Sequence, residues 1–454
     1  MNEPVLAHET ESRLVEILDV AVSENRGALA GCFLEQPSVG GAASRTNTYA
    51  LDVLGWVVGR RSAVAAVELV HAGESLWRLP LHALAHVASR HPDSPGADSA
   101  GFYGTVNTLR LPTRFTVIAR AVLEDGTRED FATIRAQRAS LRSAFQPTLQ
   151  PLILTTLGRT GSTMVVRALG AHPDIVAYPP FGYEPRVASY WTDVLQALSE
   201  PASYRRQFVP GTGSGADRNW WLGATAPAPR AVRDPAVAEW MGVANIEALA
   251  SFCQERIETA YETIATEAGV ERPRYFAEKY WASSTNSAFM WELYPNAREV
   301  FVARDFRDML CSMHAFDAKR GFQGFGRQRV QTDEDHVREL EGRVAKLLQG
   351  WEERSDRAHL LRYEDLVSQP SGTLTALLSY LDLESSSKTV DSMIVAMEEA
   401  TPEMEAHRTT VDANASVGRW RRELKPELQV LCESAFGPAL EGFGYALEHG
   451  SAAR

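Results

Sequence analysis

Residues 152–164, LILTTLGRTGSTM, run from an apolar stretch into a tight Gly/Ser/Thr loop that carries one fixed cation, Arg159. Beyond the loop, Val165, Val166 and Leu169 continue at helical spacing. Strand, short loop and helix in that order make an anion site, because a helix start offers unpaired N–H groups and the positive end of a dipole. Gly161 lets the backbone approach an anion closely, and the Ser162 and Thr163 hydroxyls add donors. A guanidinium such as that of Arg159 forks across two oxygens. The loop is not a Walker A motif, which needs Gly-Lys-Ser/Thr where this chain has Gly161-Ser162-Thr163. A second cation and hydroxyl recur in residues 298–312, REVFVARDFRDMLCS, with Arg304 at the end of an apolar run and Ser312 about two helical turns later. That pair suits a second phosphate. It equally suits an Arg304 paired with Asp305 or Asp308 and a Ser312 on a helix surface.

The elements that must position these groups fall into three expected segments. Residues 1–30 read as an N-terminal helix, with Leu14, Val15, Leu18 and Val22 on one stripe. Residues 31–140 carry short β runs with Gly- and Pro-rich joints, at 49–57, 63–70, 101–106, 115–123 and 129–135, and 124–127 reads as a hairpin turn. This pattern predicts an all-β sandwich. Residues 140–150 read as a linker. From 148 to 448 strands and helices alternate, with strands at 152–156, 274–278, 299–303 and 359–362 and helices at 245–268, 284–293, 306–313, 333–354 and 372–381. Alternation predicts an α/β domain with a mostly parallel, P-loop-like sheet and flanking helices. Ligands of such sheets bind beyond the carboxyl ends of the strands, where both cation loops fall.

The chain has 454 residues and a formal net charge of −12, which weighs against a nucleic-acid partner. No apolar run is long enough to span a bilayer, and the acidic, amphipathic N-terminus does not read as a signal peptide. Cys32, Cys253, Cys311 and Cys432 are too scattered for a disulfide framework or a zinc site, so no metal is expected and a cytoplasmic location is.

The two cation segments, with two later ones, resemble the PAPS-dependent sulfotransferase superfamily over residues 151–447. Residues 157–163 resemble its 5′-phosphosulfate loop, with Arg as the fixed cation, as in tyrosylprotein and many bacterial carbohydrate sulfotransferases. Residues 302–312 resemble its 3′-phosphate motif through Arg304 and Ser312. LRYEDLV at 361–367, followed by Pro370, is similar to a strand-and-turn of the family, and SVGRWR at 416–421 is similar to its late cationic segment that closes over the nucleotide. The resemblance implies 3′-phosphoadenosine 5′-phosphosulfate (PAPS) as cofactor, bound by Arg159, Thr160, Gly161, Ser162, Thr163, Arg304, Ser312, Tyr363, Ser416, Arg419 and Trp420. Met164 stands where some relatives place an adenine-packing aromatic, so Trp420 or Tyr363 is expected to stack the base.

The implied reaction is in-line sulfuryl transfer to a hydroxyl or amine of a small-molecule or glycan acceptor. Positioning and charge stabilisation dominate such chemistry. Arg159 and Lys279, the latter resembling a strand-end lysine of relatives, would stabilise charge; Lys279 also reads as a surface partner of Glu278. Glu184, soon after the His172-Pro173-Asp174 turn, is the general base that the resemblance implies, and it also reads as a structural partner of Arg186. His172 and His314 are the fallback bases. Tyr190, Trp191, Trp220, Trp221 and Trp240 suit either an acceptor pocket or a packed subdomain, and 321–327 suits a lid or a plain loop. Two other classes compete: a P-loop small-molecule kinase, with Asp305 holding magnesium, and a non-catalytic nucleotide- or glycan-binding protein.

Overall fold

The computed structural model describes residues 14–23, 27–39, 49–178, 186–199, 236–237, 240–281 and 284–449. The chain divides into two compact units, residues 1–145 with 192–253, and residues 146–191 with 254–454.

The first unit holds two antiparallel sheets. Its opening element is a strand, β1 (Val15–Val22), which corrects the expected N-terminal helix over these residues. Val15 and Ile17 are buried while Glu16 and Leu18 are exposed, a period of two. The helical stripe through Leu14, Val15, Leu18 and Val22 loses to this alternation because the β-branched residues of VEILDVAV find a ready antiparallel partner. That partner, β9 (Arg128–Arg138), lies in a five-stranded sheet of order β1-β9-β8-β4-β5, with β4 (Val64–His71), β5 (Glu74–Leu79) and β8 (Arg114–Leu123). The second sheet runs β2-β3-β7-β6, with β2 (Leu29–Gln36), β3 (Ala50–Gly59), β6 (Leu81–His82) and β7 (Gly101–Asn107). Inward residues of both sheets, among them Val15, Leu34, Val53, Val67, Phe102, Val117 and Ile134, join in one hydrophobic cluster.

The second unit is built on a five-stranded parallel sheet of order β11-β12-β10-β13-β14. Its strands are β10 (Gln150–Thr156), β11 (Ile175–Val176), β12 (Tyr275–Trp281), β13 (Arg298–Ala303) and β14 (His359–Arg362). β10 and β13 are near-continuous apolar runs, as strands covered on both faces must be. Alternate residues serve opposite faces. Leu152, Leu154, Val300 and Val302 pack with α2 (Ser162–Gly170) and α9 (Pro370–Leu381). Phe301 and Ala303 pack instead with α6 (Phe306–Arg320), α7 (Asp333–Arg354) and α13 (Pro426–Gly442). The one charge inside β13, Glu299, is fully buried and paired: Arg354 Nε donates at 2.9 Å and Trp291 Nε1 at 3.2 Å.

Strand order puts β10 between β12 and β13, so the loops that leave these three strands open at one edge of the sheet. The first leads into α2. The third leads into α6, whose N-cap Asp305 accepts from the Arg307 N–H. Among the described residues no helix is long and apolar enough to cross a membrane.

Candidate functional site

The loop after β10 is stiff. The Thr156 and Thr160 hydroxyls lie within hydrogen-bond reach of each other and of the Leu157 and Val302 carbonyls, which share their two protons. Thr160 is fully buried in this network, so its side chain braces the loop and does not face a ligand, contrary to the sequence expectation. Two residues of the loop take left-handed backbone, Arg159 at φ 68° and Gly161 at φ 87°. Gly161 has a second reason to be glycine, since a Cβ there would lie 2.2 Å from Tyr363 Cδ2. Arg159, a non-glycine in that region, holds a conformation that costs on the order of 1 kcal/mol, as functional loops often do.

The strained backbone sends the Arg159 side chain across to α6. Its Nε donates to Ser312 Oγ at 3.1 Å, Nη2 donates to the His407 carbonyl at 2.7 Å, and the guanidinium lies 4.3 Å over the Phe316 ring. Burial, then the nearby Arg304 and Arg419, pull its pKa down to about 10. It stays charged at neutral pH, in a place where positive charge is in excess.

Arg304 meets the same loop from β13. Nη1 donates to the Arg159 carbonyl at 3.2 Å, Nη2 donates to the Ser416 carbonyl at 2.7 Å, and the guanidinium lies 4.5 Å over the Tyr363 ring. The Tyr363 hydroxyl and Ser416 Oγ are 2.8 Å apart. Because Ser416 Oγ donates to the Ala413 carbonyl, the tyrosine is the donor. Neither neighbouring acid pairs with Arg304. Asp305 accepts from Arg307 Nε and Nη2, and Asp308 accepts from the Gly418 and Trp420 N–H groups at 2.6 and 2.9 Å. Arg304 is 4% exposed, and its Nε is buried with no hydrogen-bond partner among the described residues. A buried donor left unmet calls for a partner that the described residues do not supply, such as a water or a ligand.

Both arginines open onto one cavity of about 360 Å³, also lined by Gly161, Ser162, Thr163, Ser312, Tyr363 and Ser416. Its far wall is the stretch Met404–Asn414, which begins in α11 (Pro402–His407) and which the sequence reading passed over. The available signal was its position, a polar stretch with Thr409 and Thr410 just ahead of Ser416-Val417-Gly418. A second cavity of about 540 Å³ shares Arg159, Ser162, Thr163 and His407 with the first and adds Lys279, Arg186, Trp281 and Arg320. The Arg159–His407 bond therefore stands where the two cavities meet. Lys279, near the end of β12, donates to Thr163 Oγ1 at 3.1 Å. It does not pair with Glu278, whose side chain leaves the opposite face of the strand. Glu278 accepts from Tyr261 Oη at 2.6 Å and from the Ala188 and Ser189 N–H groups at 2.9 Å, capping α3 (Val187–Leu198). Burial pushes its pKa up to about 7.

Other expected site residues stand elsewhere. Trp420 is fully buried, with guanidiniums of Arg307 and Arg421 at 3.9 and 4.6 Å from its ring, and it lines neither cavity. A base cannot stack on it; the apolar cluster around α6 and α13 claimed the largest ring of its motif. Arg419 is 3% exposed, held by Glu423 at 2.8 Å and by Thr409 Oγ1 at 3.0 Å, and it too lines neither cavity. Tyr363 does line the first cavity, as a wedge between Gly161 and Arg304. Of the fallback bases, His172 is spent on a turn, accepting from the Asp174 N–H and facing the Glu384 carbonyl, and His314 stacks on His336 beside a separate cavity. Glu184, Trp220 and Trp221 lie outside the described residues.

Residues 151–387 match the model of the family described as "Sulfotransferase family". No curated protein matches the sequence. Among solved structures, the chain is similar to the sulfotransferase domain from the curacin biosynthetic pathway, at 14% identity over 66% of this chain and 100% of that one, with a TM-score of 0.40. It is similar to sulfotransferase STF9 from Mycobacterium avium, at 15% identity over 67% of this chain and 79% of that one, with a TM-score of 0.35. It is also similar to mouse sulfotransferase SULT7A1 complexed with PAP, at 12% identity over 65% of this chain and 87% of that one, with a TM-score of 0.34. The family match takes in β10 to β14 and both arginine loops, and, since it spans just over half of the chain, this protein belongs to the sulfotransferase family.

Proposed function

We propose that this sulfotransferase uses PAPS as donor and transfers its sulfuryl group to a hydroxyl or amine of a small-molecule or glycoconjugate acceptor. One observation carries the reading: two arginines, Arg304 buried and Arg159 half-buried, each without a carboxylate partner among the described residues, line the same cavity, and Arg304 keeps an unmet N–H. A ligand with phosphate at both ends of its ribose meets that demand. When bound, PAPS supplies a sulfuryl group whose bond to the 5′-phosphate oxygen is the one that breaks.

The protein's part is placement and charge. The α2 N-terminus, with Ser162 and Thr163, holds the 5′ end, and Arg304 with Ser312 holds the 3′-phosphate. Ser312 Oγ accepts from Arg159, which leaves its own proton to donate into the cavity. Arg159, common to both cavities, and Lys279, which lines the second and donates to the shared Thr163, hold positive charge at the point of transfer. The second cavity takes the acceptor. Glu184, two residues before the cavity-lining Arg186, is our candidate to receive the acceptor proton. The buried cysteines form no disulfide, which suits a reducing, cytoplasmic compartment. We read the two-sheet N-terminal unit as a sandwich that serves as an accessory domain.

A kinase reading is weaker. Asp305, its magnesium candidate, is committed to Arg307 and to capping α6. Calorimetry with adenosine 3′,5′-bisphosphate (PAP) and with Mg-ATP separates the readings. We expect PAP binding in the micromolar range or tighter, weaker binding of ATP, and turnover of PAPS that Arg159→Ala abolishes without loss of fold by circular dichroism. Preference for Mg-ATP, or wild-type turnover in Arg159→Ala, refutes the assignment.

A further inference from the structure

The second cavity has a chemical bias that donor binding does not use. Arg186 and Arg320 line it and line no part of the first cavity. Neither forms an ion pair with a carboxylate among the described residues. Arg186 lies 5.0 Å over the Trp281 ring; Arg320 lies 4.9 Å over Phe316 and 3.8 Å over Phe322. A guanidinium stacked by its face keeps its in-plane N–H edge open for a bidentate partner. Among the described residues Glu278 interacts with Arg186 at longer range, but Tyr261 and the start of α3 occupy its oxygens. The described lining contains no Asp, Glu, Asn or Gln, the side chains that bond the hydroxyls of a neutral sugar. Flat apolar surface is plentiful: Trp281 is half exposed, and Phe316 and Phe325 complete the wall.

Resting on the donor assignment above, we propose that the acceptor carries an anionic group, a carboxylate, sulfate or phosphate, set against an aromatic or other flat apolar body. Arg320 and Arg186 take the anion by its oxygens, and the ring of the acceptor lies among Trp281, Phe316 and Phe325. The hydroxyl that receives the sulfuryl group then faces Arg159 and Lys279.

The test uses the full-length protein loaded with PAP and a matched pair of probes, 3-(4-hydroxyphenyl)propionate and its methyl ester. Calorimetry measures binding, so no turnover is required. The acid binds at least about tenfold more tightly than the ester, the worth of one charged hydrogen bond. The advantage shrinks as salt rises, because the cavity is open and its charges are screened. Arg320→Gln and Arg186→Gln each reduce the advantage while PAP affinity stays at the wild-type value. Equal binding of acid and ester, no binding of the acid, or an advantage untouched in both variants overturns the proposal. Loss of PAP binding by the wild-type protein would instead overturn the donor assignment, so the two failures are distinct.

Discussion

Replacing Gly161 by alanine tests whether the first arginine loop and the Tyr363 wedge form one device. Two costs follow from the geometry. The residue sits at φ 87°, where an L-residue with a Cβ pays about 1–2 kcal/mol. The Cβ would also lie 2.2 Å and 2.8 Å from two atoms of the Tyr363 ring, and displacing a packed side chain adds about 1–3 kcal/mol. Gly269 isolates the first cost: it has φ 69°, belongs to the same unit, and nothing lies within 4 Å of its would-be Cβ. In domains of this size 1 kcal/mol moves Tm by roughly 2–4 °C. Gly269→Ala should therefore lower Tm by about 2–8 °C, and Gly161→Ala by about 4–20 °C. The functional consequence separates them further. Tyr363 supports the Arg304 guanidinium at 4.5 Å and donates to Ser416 at 2.8 Å, so a displaced ring moves the second grip as well. Differential scanning calorimetry gives the Tm values, and titration with PAP gives affinity. We expect Gly161→Ala to lose about tenfold or more in PAP affinity, the worth of one charged hydrogen bond, and Gly269→Ala to lose none. If both variants melt together and bind PAP alike, the wedge does not exist in solution and the coupling of the two loops fails.

Ser312→Ala should weaken PAP by about tenfold or more while leaving adenosine 5′-phosphate almost unaffected, since only the former carries the 3′-phosphate. Equal losses for the two nucleotides would move Ser312 out of that role. Glu184→Gln should reduce kcat by about 10²–10⁴-fold with PAP affinity near wild type, and an unchanged rate would assign the proton to another group. Glu278 makes a pH prediction. Burial raises its folded pKa from 4.5 to about 7, so the folded state holds the proton more tightly than the unfolded state. Its contribution to stability is complete below about pH 4.5 and is lost as pH rises through 7. Denaturant titrations from pH 4 to 8 should show the wild type losing on the order of 1 kcal/mol per pH unit relative to Glu278→Gln, and parallel profiles would remove the carboxyl from the linkage.

The parallel sheet was legible because its strands are buried on both faces. Such strands read as short apolar runs whatever their neighbours are, and 299–303 and 359–362 emerge as β13 and β14 almost residue for residue. The helices at 245–268 and 333–354 carried their own stripes, and the second its cap, Thr332, which accepts from the Asp335 N–H at the start of α7. β1 was misread for the converse reason. Its eight residues fit a helical stripe and an alternating strand equally, and the choice was made by β9, more than a hundred residues away. No local pattern carries that information. β6 and β11, of two residues each, are too short to have a period at all.

The site divides along the same line. That Arg159, Ser162, Thr163, Arg304 and Ser312 gather at one cavity could be read because each owes its place to an element boundary: a strand end, a helix start, or two turns into a helix. What the boundary could not tell was whether a cation would be answered by its neighbours. Three arginines of these motifs each have an acid within four residues, and they end differently. Arg307 takes Asp305 and Glu433 and becomes part of the core under Trp420. Arg419 takes Glu423, one helical turn on. Arg304 loses both of its acids, Asp305 to Arg307 and Asp308 to the Gly418 turn, and so keeps its charge for the cavity. The competition among these partners is settled only when α6, α12 (Trp420–Glu423) and α13 pack together. Removing either acid would therefore not hand Arg304 a partner. With Asp308 replaced by asparagine, Arg304 would remain unanswered, whereas loss of Glu433 would leave Arg307 to draw on Asp305 alone and would loosen the cap on α6. The unanswered arginine is thus defined by what its competitors have already taken, a property of the packed unit and not of the motif that contains it.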